Sequence, residues 1–259
     1  MVLARLFQTA ALALAVSVGA AAQARVFSYK DAGVAAFLRG TGGLSQLDQD
    51  QFANANGGVS VDGSSQYQYG GELGAALNFG NLQVRLGAEV IQHRPVSEGK
   101  GTDSSGAQMF TLNSSVFVFN PNVTFEYSYA GSGDMRYYGA LGGGYANVTV
   151  VNEYKMTGAG TTRFGVTDFD EKMETTVYEL HAETGLETLF TDNVTFLAGV
   201  GYRHFLVPSL KYKNDASTIS TPGGVIKGDP VLNEDGSKRH LNLGGFFASI
   251  GFRFYLNFM

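Results

Sequence analysis

Hydrophobic and polar residues alternate most clearly along the C-terminal stretch 242–258. From Phe246 onward every second residue is apolar, and most of these residues are aromatic. The intervening residues are smaller or more polar and include Arg253. A period of two predicts a β-strand, whose successive side chains point to opposite faces. A long strand with one aromatic face is typical of a strand that faces lipid, although a soluble sandwich strand can share the pattern.

The same alternation predicts seven further strands. They run from about 33 to 47, 67 to 79, 82 to 93, 109 to 129, 136 to 151, 176 to 190 and from 194 onward. Short turns are predicted at 80–81, 130–134 and 191–193, and long polar loops at 45–66, 95–107, 155–172 and 213–239. Because long loops and tight turns alternate strictly, the spacing predicts an all-β fold. It is an eight-stranded antiparallel up-and-down transmembrane β-barrel with both termini on the short-turn side.

The fourth strand contains two irregularities. Phe110 and Leu112 occupy even positions, whereas Phe117 and Phe119 occupy odd ones, so a bulge is predicted near 113–115. Pro121 lacks a backbone donor, and a closed barrel has no edge strand to hold it. We therefore predict a wall defect at Pro121; the alternative is that residues 120–122 form a turn.

The first 24 residues have the pattern of an export signal. Arg5 supplies a positive charge, an apolar run follows over 10–22, and Ala22-Gln23-Ala24 is a small-residue cleavage site. The run is too short to span a bilayer, and no other stretch of 18 apolar residues follows. We predict a signal peptide over residues 1–24 and one barrel domain over residues 25–259.

The composition agrees with export and limits the classes of partner that the protein can bind. The chain has 35 Gly, 19 Phe, 13 Tyr and no Cys, so no disulfide supports it. It has 18 Lys and Arg against 23 Asp and Glu; removing Arg5 with the leader takes the net charge from −5 to −6. An acidic chain argues against nucleic acid as a partner. We expect no cofactor.

If the apolar face of each strand points outward, a set of charged residues lies on the opposite, inward face. The set is Arg39, Glu72, Arg85, Glu89, Glu126, Arg136, Glu179, His181, Glu183, Glu187, Arg203 and Arg253. Strand five can be phased either way, which leaves the side of Arg136 open. Buried charges require partners, so we predict an ion-pair network that fills a narrow lumen. A gate or proton path is the sharper alternative.

Two other clusters suggest metal chemistry. Glu179, His181 and Glu183 share one strand face and are a possible metal site, but the nearby arginines favour ion pairing instead. Asp168, Asp170 and Glu171 are a possible calcium site, for which a solvated acidic loop is the preferred interpretation. We therefore predict no metal.

Several motifs in these strands occur together in one class of protein. They are Pro121 leading into Phe125-Glu126-Tyr127, the run Tyr137-Tyr138-Gly139-Ala140-Leu141-Gly142-Gly143-Gly144-Tyr145, Gly199-Val200-Gly201-Tyr202-Arg203, and Gly251-Phe252-Arg253-Phe254. The chain resembles the small outer-membrane barrels of the OmpA, OmpX and OmpW type, and is most similar to the OmpW-like ones. It departs from them in having Met259 after its last aromatic residue and a single Pro121 where OmpW-like barrels have two prolines.

The resemblance implies a location and partners. The chain is expected in the outer membrane with its loops extracellular and both termini periplasmic. The expected partners are outer-membrane lipid, lipopolysaccharide and the outer-membrane assembly machinery, for which Phe258 resembles the insertion signal.

We predict that the protein is non-enzymatic and has a structural or surface role. Its lumen is predicted to be charged and largely closed. The alternative is an OmpW-like conduit for small hydrophobic molecules that leave near Pro121. A lipid-modifying enzyme is disfavoured because none of His93, His181, His204 and His240 is followed two residues later by serine.

Overall fold

The computed structural model describes residues 33–47, 59–61, 65–132, 134–219, 224–233 and 236–256. The strands within these ranges are β1 (Val34–Leu47), β2 (Ser60–Val61), β3 (Ser65–Phe79), β4 (Leu82–His93), β5 (Val96–Thr102), β6 (Gln108–Ser132), β7 (Met135–Met156), β8 (Phe169–Thr191), β9 (Val194–His204), β10 (Leu206–Val207), β11 (Lys211–Tyr212), β12 (Leu241–Asn242) and β13 (Gly245–Leu256). One helix, α1 (Gly158–Phe164), precedes β8. The predicted leader and Phe258 lie outside the described residues. No helix in the described part of the chain is long and apolar enough to cross a membrane.

Eight of these strands close into a ring. The order is β1, β3, β4, β6, β7, β8, β9 and β13, and β13 pairs back onto β1. Every neighbouring pair is antiparallel, and tight turns join β3 to β4, β6 to β7 and β8 to β9. The predicted eight-stranded up-and-down barrel is confirmed. Closure matters physically because it leaves no unpaired edge among the eight strands.

Burial follows the period of two around the ring, with the apolar residues outside. On β13, Phe246, Ile250 and Phe252 are exposed, whereas Arg253 and Tyr255 are buried. The other ring strands repeat the pattern, so large aliphatic and aromatic side chains cover the outside of the barrel. This surface far exceeds the apolar patch that a soluble monomer exposes, and it requires an apolar medium around it.

Phe252 gives a direct test of the apolar exterior. Its ring lies edge-on to those of Phe190 and Phe196, each with a centroid distance of 5.7 Å. We expect Phe252→Arg to lower stability by about 2–4 kcal/mol, because a cation on the lipid face must be desolvated. The measurement is urea titration of the barrel refolded in lipid vesicles. Unchanged stability would show that this face is not in lipid.

Three strands extend well beyond the ring on the long-loop side. β6, β7 and β8 have 25, 22 and 23 residues, whereas about 9–11 residues suffice to cross a bilayer. The predicted loop at 155–172 is therefore wrong in large part: β7 continues to Met156, α1 follows, and β8 begins at Phe169.

The predicted loop at 95–107 is also wrong in part, because β5 pairs with β6 within it. The buried positions of β5 are Val96, Gly99 and Gly101, and the ring of Phe110 occupies the space beside Gly101. Two of the three inward residues are glycines, so the strand carries too few apolar side chains to show a period of two.

The bulge predicted in the fourth strand near 113–115 is absent from the β6–β7 pair. The β5–β6 pairing does shift register opposite these residues, but the extra residue is on β5, between Val96 and Gly99. The β6–β7 register runs unbroken from Phe110 opposite Met156 to Phe119 opposite Asn147. Even positions of β6 point inward throughout, from Phe110 to Glu126. The side chains that fill the barrel interior change along the strand: they are charged within the ring and apolar above it.

The alternative of a turn at 120–122 is wrong as well. β6 continues through these residues, and Pro121 lies opposite Ala88 of β4. On the other side, β7 has no paired residue at Asn120 or Pro121, and pairing resumes in the same register at Asn122 opposite Gly144.

Candidate functional site

The structure brings the twelve predicted charged residues together inside the ring, Arg136 included. Eleven are buried, and His181 is intermediate. They form three layers along the barrel axis, which we name by position: a lower layer at the short-turn end, a middle layer, and an upper layer at the long-loop end.

The lower layer is centred on Glu187. This carboxylate accepts hydrogen bonds from Arg136 Nε at 2.7 Å, Arg253 Nη1 at 2.6 Å and the Tyr255 hydroxyl at 2.8 Å. Arg253 also donates to Glu126 at 2.9 Å, and its side chain is fully buried. One guanidinium of β13 therefore joins a carboxylate of β6 to one of β8, a use that suits the planar fork of arginine.

The middle layer is centred on Glu183. Arg39 Nη1 donates to it at 2.9 Å and Arg85 Nη2 at 3.3 Å, while the hydroxyls of Tyr138 and Ser249 each donate at 3.0 Å. Four donors satisfy the lone pairs of a buried carboxylate, which is the condition for keeping it charged at low cost.

The upper layer joins Arg203 to two carboxylates. Arg203 Nη2 reaches both oxygens of Glu89 at 2.7 and 2.9 Å, and its Nε donates to Glu179 at 3.1 Å. His181 lies between Glu179, 3.1 Å from its Nδ1, and the Thr124 hydroxyl, 2.9 Å from its Nε2. A Cβ on Gly142 would overlap both His181 and Thr124, so this glycine makes room for the pair.

The order Thr124, His181, Glu179 matches that of a hydroxyl nucleophile, its base and an orienting acid. Thr124 is completely buried, however, and Gly142 packs directly against both groups. Glu179 is also held by Arg203 and by Asn120 Nδ2 at 3.2 Å. The arrangement fixes the histidine inside the network.

Glu72 is the least well paired member of the network. The set holds six glutamates and five arginines, and Glu72 meets only Arg39 Nε, at 3.3 Å. Its Oε1 and the Oδ1 of Asn122 accept no hydrogen bond in the described structure, and both lie beside the missing Cβ of Gly87.

The possible metal ligands do not converge. Glu179 and His181 belong to the upper layer, whereas Glu183 is held by Arg39 and Arg85 in the middle layer. The described residues contain no group of three or more His, Asp or Glu side chains placed to hold a metal ion.

An apolar core, which we call the cap, fills the space above the upper layer. Its members come from ring strands, from the protruding strands and from the following loops. They are Leu47, Val59, Val61, Ile91, Val96, Met109, Phe110, Leu112, Val116, Val118, Ala146, Val148, Val150, Tyr154, Val166, Met173, Phe205, Val207, Leu210, Tyr212, Ile219, Val231, Leu241 and Leu243. Because these residues come from all sides of the ring, the cap covers the interior at the long-loop end.

One ion pair is buried within the cap, and the sequence analysis missed it. Arg239 Nη1 lies 3.4 Å from Glu171 Oε2, and the Tyr154 hydroxyl donates to the same oxygen at 3.3 Å. Burial disfavours the charged guanidinium of Arg239, but Glu171 and two tyrosines more than offset this and raise its pKa. Burial, together with Glu171, raises the pKa of Tyr212 to about 12.

The preferred interpretation of the 168–171 cluster, a solvated acidic loop, is therefore wrong for Glu171. Asp168 accepts a hydrogen bond from the backbone of Met156 at 2.7 Å, and Asp170 is exposed. The sequence did contain a signal that Glu171 points inward. Glu171 occupies an odd position of β8, in the same inward series as Glu179, Glu183 and Glu187.

The comparisons with known proteins match this architecture. No family model and no curated protein matches the chain. A major outer membrane protein from Thermus thermophilus matches in structure with a TM-score of 0.51 at 12% identity, covering 86% of this chain and 99% of that one. This chain has the fold of the small outer-membrane β-barrels.

Two other solved outer-membrane barrels match at lower scores. Neisserial surface protein A has a TM-score of 0.43 at 11% identity, covering 86% of this chain and 99% of its own. OprG from Pseudomonas aeruginosa has a TM-score of 0.46 at 13% identity, covering 88% of this chain and 97% of its own. At these identities the likeness concerns the barrel fold alone.

Proposed function

We propose that this protein is a non-enzymatic structural or surface protein of the outer membrane. The observation that supports the proposal most directly is an apolar exterior around an interior that is ion-paired and capped. Outer-membrane barrels place short turns in the periplasm and long loops outside. In this orientation both ends of the chain are periplasmic, and the cap, α1 and the loop around Pro230 are extracellular.

The interior supports a closed lumen in two ways. Eight strands enclose a space that side chains nearly fill, and here three layers of paired charges occupy it. The cap then adds an apolar core above the upper layer. Lipid, lipopolysaccharide and the assembly machinery are the partners that we propose on this basis.

A conduit for small hydrophobic molecules is the second candidate. It is favoured by one observation, the absence of β7 partners for Asn120 and Pro121 in the wall. Such a molecule would have to pass the cap to reach this point, so the conduit requires a rearrangement of the cap that a closed structural barrel does not.

The absence of cysteine gives a clean test of location and orientation. Lys227→Cys places a thiol on the exposed long loop, and Asn81→Cys places one on the β3–β4 turn. With a membrane-impermeant maleimide, intact cells should label only the Lys227→Cys protein, and cells with a permeabilised outer membrane should label both. Labelling of Asn81→Cys alone in intact cells would reverse the orientation, and absence from the outer-membrane fraction would contradict the proposal.

A further inference from the structure

The long segment between β9 and β13 is not part of the barrel wall. The β9–β13 ladder ends at Arg203 opposite Gly245, and beyond it β10 pairs with β12 in a separate two-stranded sheet. The segment therefore leaves the wall and returns to it at one place. We call it the lid and define it by its described residues, which are 206–219, 224–233 and 236–243.

Backbone hydrogen bonds hold the lid together as one body. The amide of Val231 donates to the carbonyl of Leu210 at 2.9 Å, and the amide of Arg239 donates to that of Val231 at 2.9 Å. The amide of Gly228 donates to the carbonyl of Tyr212 at 2.8 Å. Because these bonds join parts of the lid to each other, they remain intact if the lid separates from the barrel as a unit.

The lid is fastened to the barrel far from the place where it leaves the wall. The β8–β9 ladder ends at Leu180, and β11 of the lid pairs with β8 at Glu174. Between them, residues 175–179 of β8 have no strand partner on this side in the described structure. The buried contact of Glu171 with Arg239 lies further still, roughly 30 Å along β8 from Leu180. An attachment at one end and a contact at the other is the geometry of a hinged cover.

The buried contact is a charged pair whose hydrogen bonds are long. Arg239 Nη1 and Asn152 Nδ2 each lie 3.4 Å from Glu171 Oε2, and the Tyr154 hydroxyl lies 3.3 Å from it. Contacts in the lower layer are 2.6–2.8 Å. A buried ion pair repays its desolvation only when its geometry is excellent. The long contacts therefore make the closed position marginal, whereas lifting the lid returns both charges to water.

We propose that the lid is a gate over the barrel interior, which swings about its attachment to β9 and β13 and is latched by the pair of Arg239 and Glu171. The inference goes beyond the proposed function, because a structural barrel does not require a moving cover. Opening exposes the cap to solvent. The three charged layers stay closed, because all their members lie on ring strands. The gate thus controls access to the interior from the long-loop side and not flow through the barrel.

Cysteine labelling measures opening of the lid separately from unfolding of the ring. Val207→Cys reports on the lid, since Val207 is completely buried on β10, which packs beside β8. Ala76→Cys reports on the ring, since Ala76 is completely buried on β3. The rate of reaction with a maleimide is measured on the purified, folded full barrel in detergent, so the result does not depend on the location of the protein in the cell.

Each reporter is combined with a change in the latch and with a matched control. Glu171→Gln removes the charge of the latch. Glu174→Gln makes the same change three positions along β8, where the pair with Lys213 is exposed. The double variant Glu171→Met, Arg239→Met replaces the charged pair by an apolar one.

We expect Val207→Cys to react faster than Ala76→Cys in the parent background. Glu171→Gln should speed the reaction of Val207→Cys by about a hundredfold, because the closed lid then buries the Arg239 charge without its carboxylate. The rate of Ala76→Cys should not change. Glu174→Gln should change the rate less than about fivefold, as expected of an exposed pair. The double methionine variant should react more slowly than the parent, because its closed position buries no charge there.

Four results would overturn the inference. Equal acceleration of both reporters by Glu171→Gln would show that the whole barrel loosens. Equal effects of Glu171→Gln and Glu174→Gln would show that the buried pair is not the latch. A double methionine variant as fast as Glu171→Gln would show that buried charge does not set the opening. Reaction of Val207→Cys as slow as that of Ala76→Cys in every variant would show that the lid does not open.

Discussion

Arg253→Met should destabilise the barrel by about 3–5 kcal/mol, the cost of removing one partner from a buried ion pair. Arg253 is completely buried and donates to Glu187 at 2.6 Å and to Glu126 at 2.9 Å. Methionine keeps much of the side-chain volume, so the loss reports on Glu187 and Glu126, which then keep only Arg136 and Arg85 as charged partners, rather than on a cavity. The measurement is urea unfolding in lipid vesicles, followed by the gel shift between folded and unfolded barrel.

Glu72→Gln is the matched control for this experiment. Glu72 is equally buried, but its only charged contact is Arg39 at 3.3 Å, and one of its oxygens accepts no hydrogen bond in the described structure. Removing this surplus charge should change stability by less than about 1 kcal/mol. Adding Glu126→Gln to Arg253→Met should recover part of the loss. Equal effects of Arg253→Met and Glu72→Gln would show that the pairing pattern does not determine stability.

The parent barrel should give only small, flickering conductance in planar bilayers and no sugar uptake in liposomes. Two barriers lie in series along its axis, the charge network and the cap, and removing one leaves the other. The triple variant Glu89→Ala, Glu179→Ala, Arg203→Ala truncates the three paired charges of the upper layer together and should remain nearly closed. The same should hold when a short Gly-Ser linker replaces residues 213–238, which removes Ile219 and Val231 from the cap.

The two changes combined should raise conductance above that of either variant alone, because the upper layer and the cap are then both weakened. The size of the increase distinguishes barriers in series from a single gate. If the linker variant alone opens fully, the cap is the only barrier. Steady, large conductance with rapid sugar entry in the parent would show that the lumen is an open pore and would contradict the structural role.

The alternation of side chains was sufficient to predict the ring. β4 has the predicted bounds of 82–93, and the eight strands and three tight turns lie where the period of two and the turn residues place them. The inward side of every charged residue except Arg136 followed from the same rule, because alternation is a local property of an extended backbone.

The partners of those charges could not be predicted in this way. Arg39 donates to Glu183, 144 residues away, and Arg253 donates to Glu126, 127 residues away. A strand pattern shows which face a side chain occupies. Register and closure of the ring decide which strands face each other across the lumen. They thus explain why Glu72 remains underpaired.

The cap likewise depends on tertiary structure. In β5 two of the inward positions are glycines, and the ring of Phe110 fills the space beside one of them. The sequence of this strand therefore resembles that of a loop. Glu171 and Arg239 meet only because the long loop folds back over the protruding strands. The local period of two was readable from the residues alone, whereas every feature that joins distant strands required the closed sheet, because pairing between strands is not a local property.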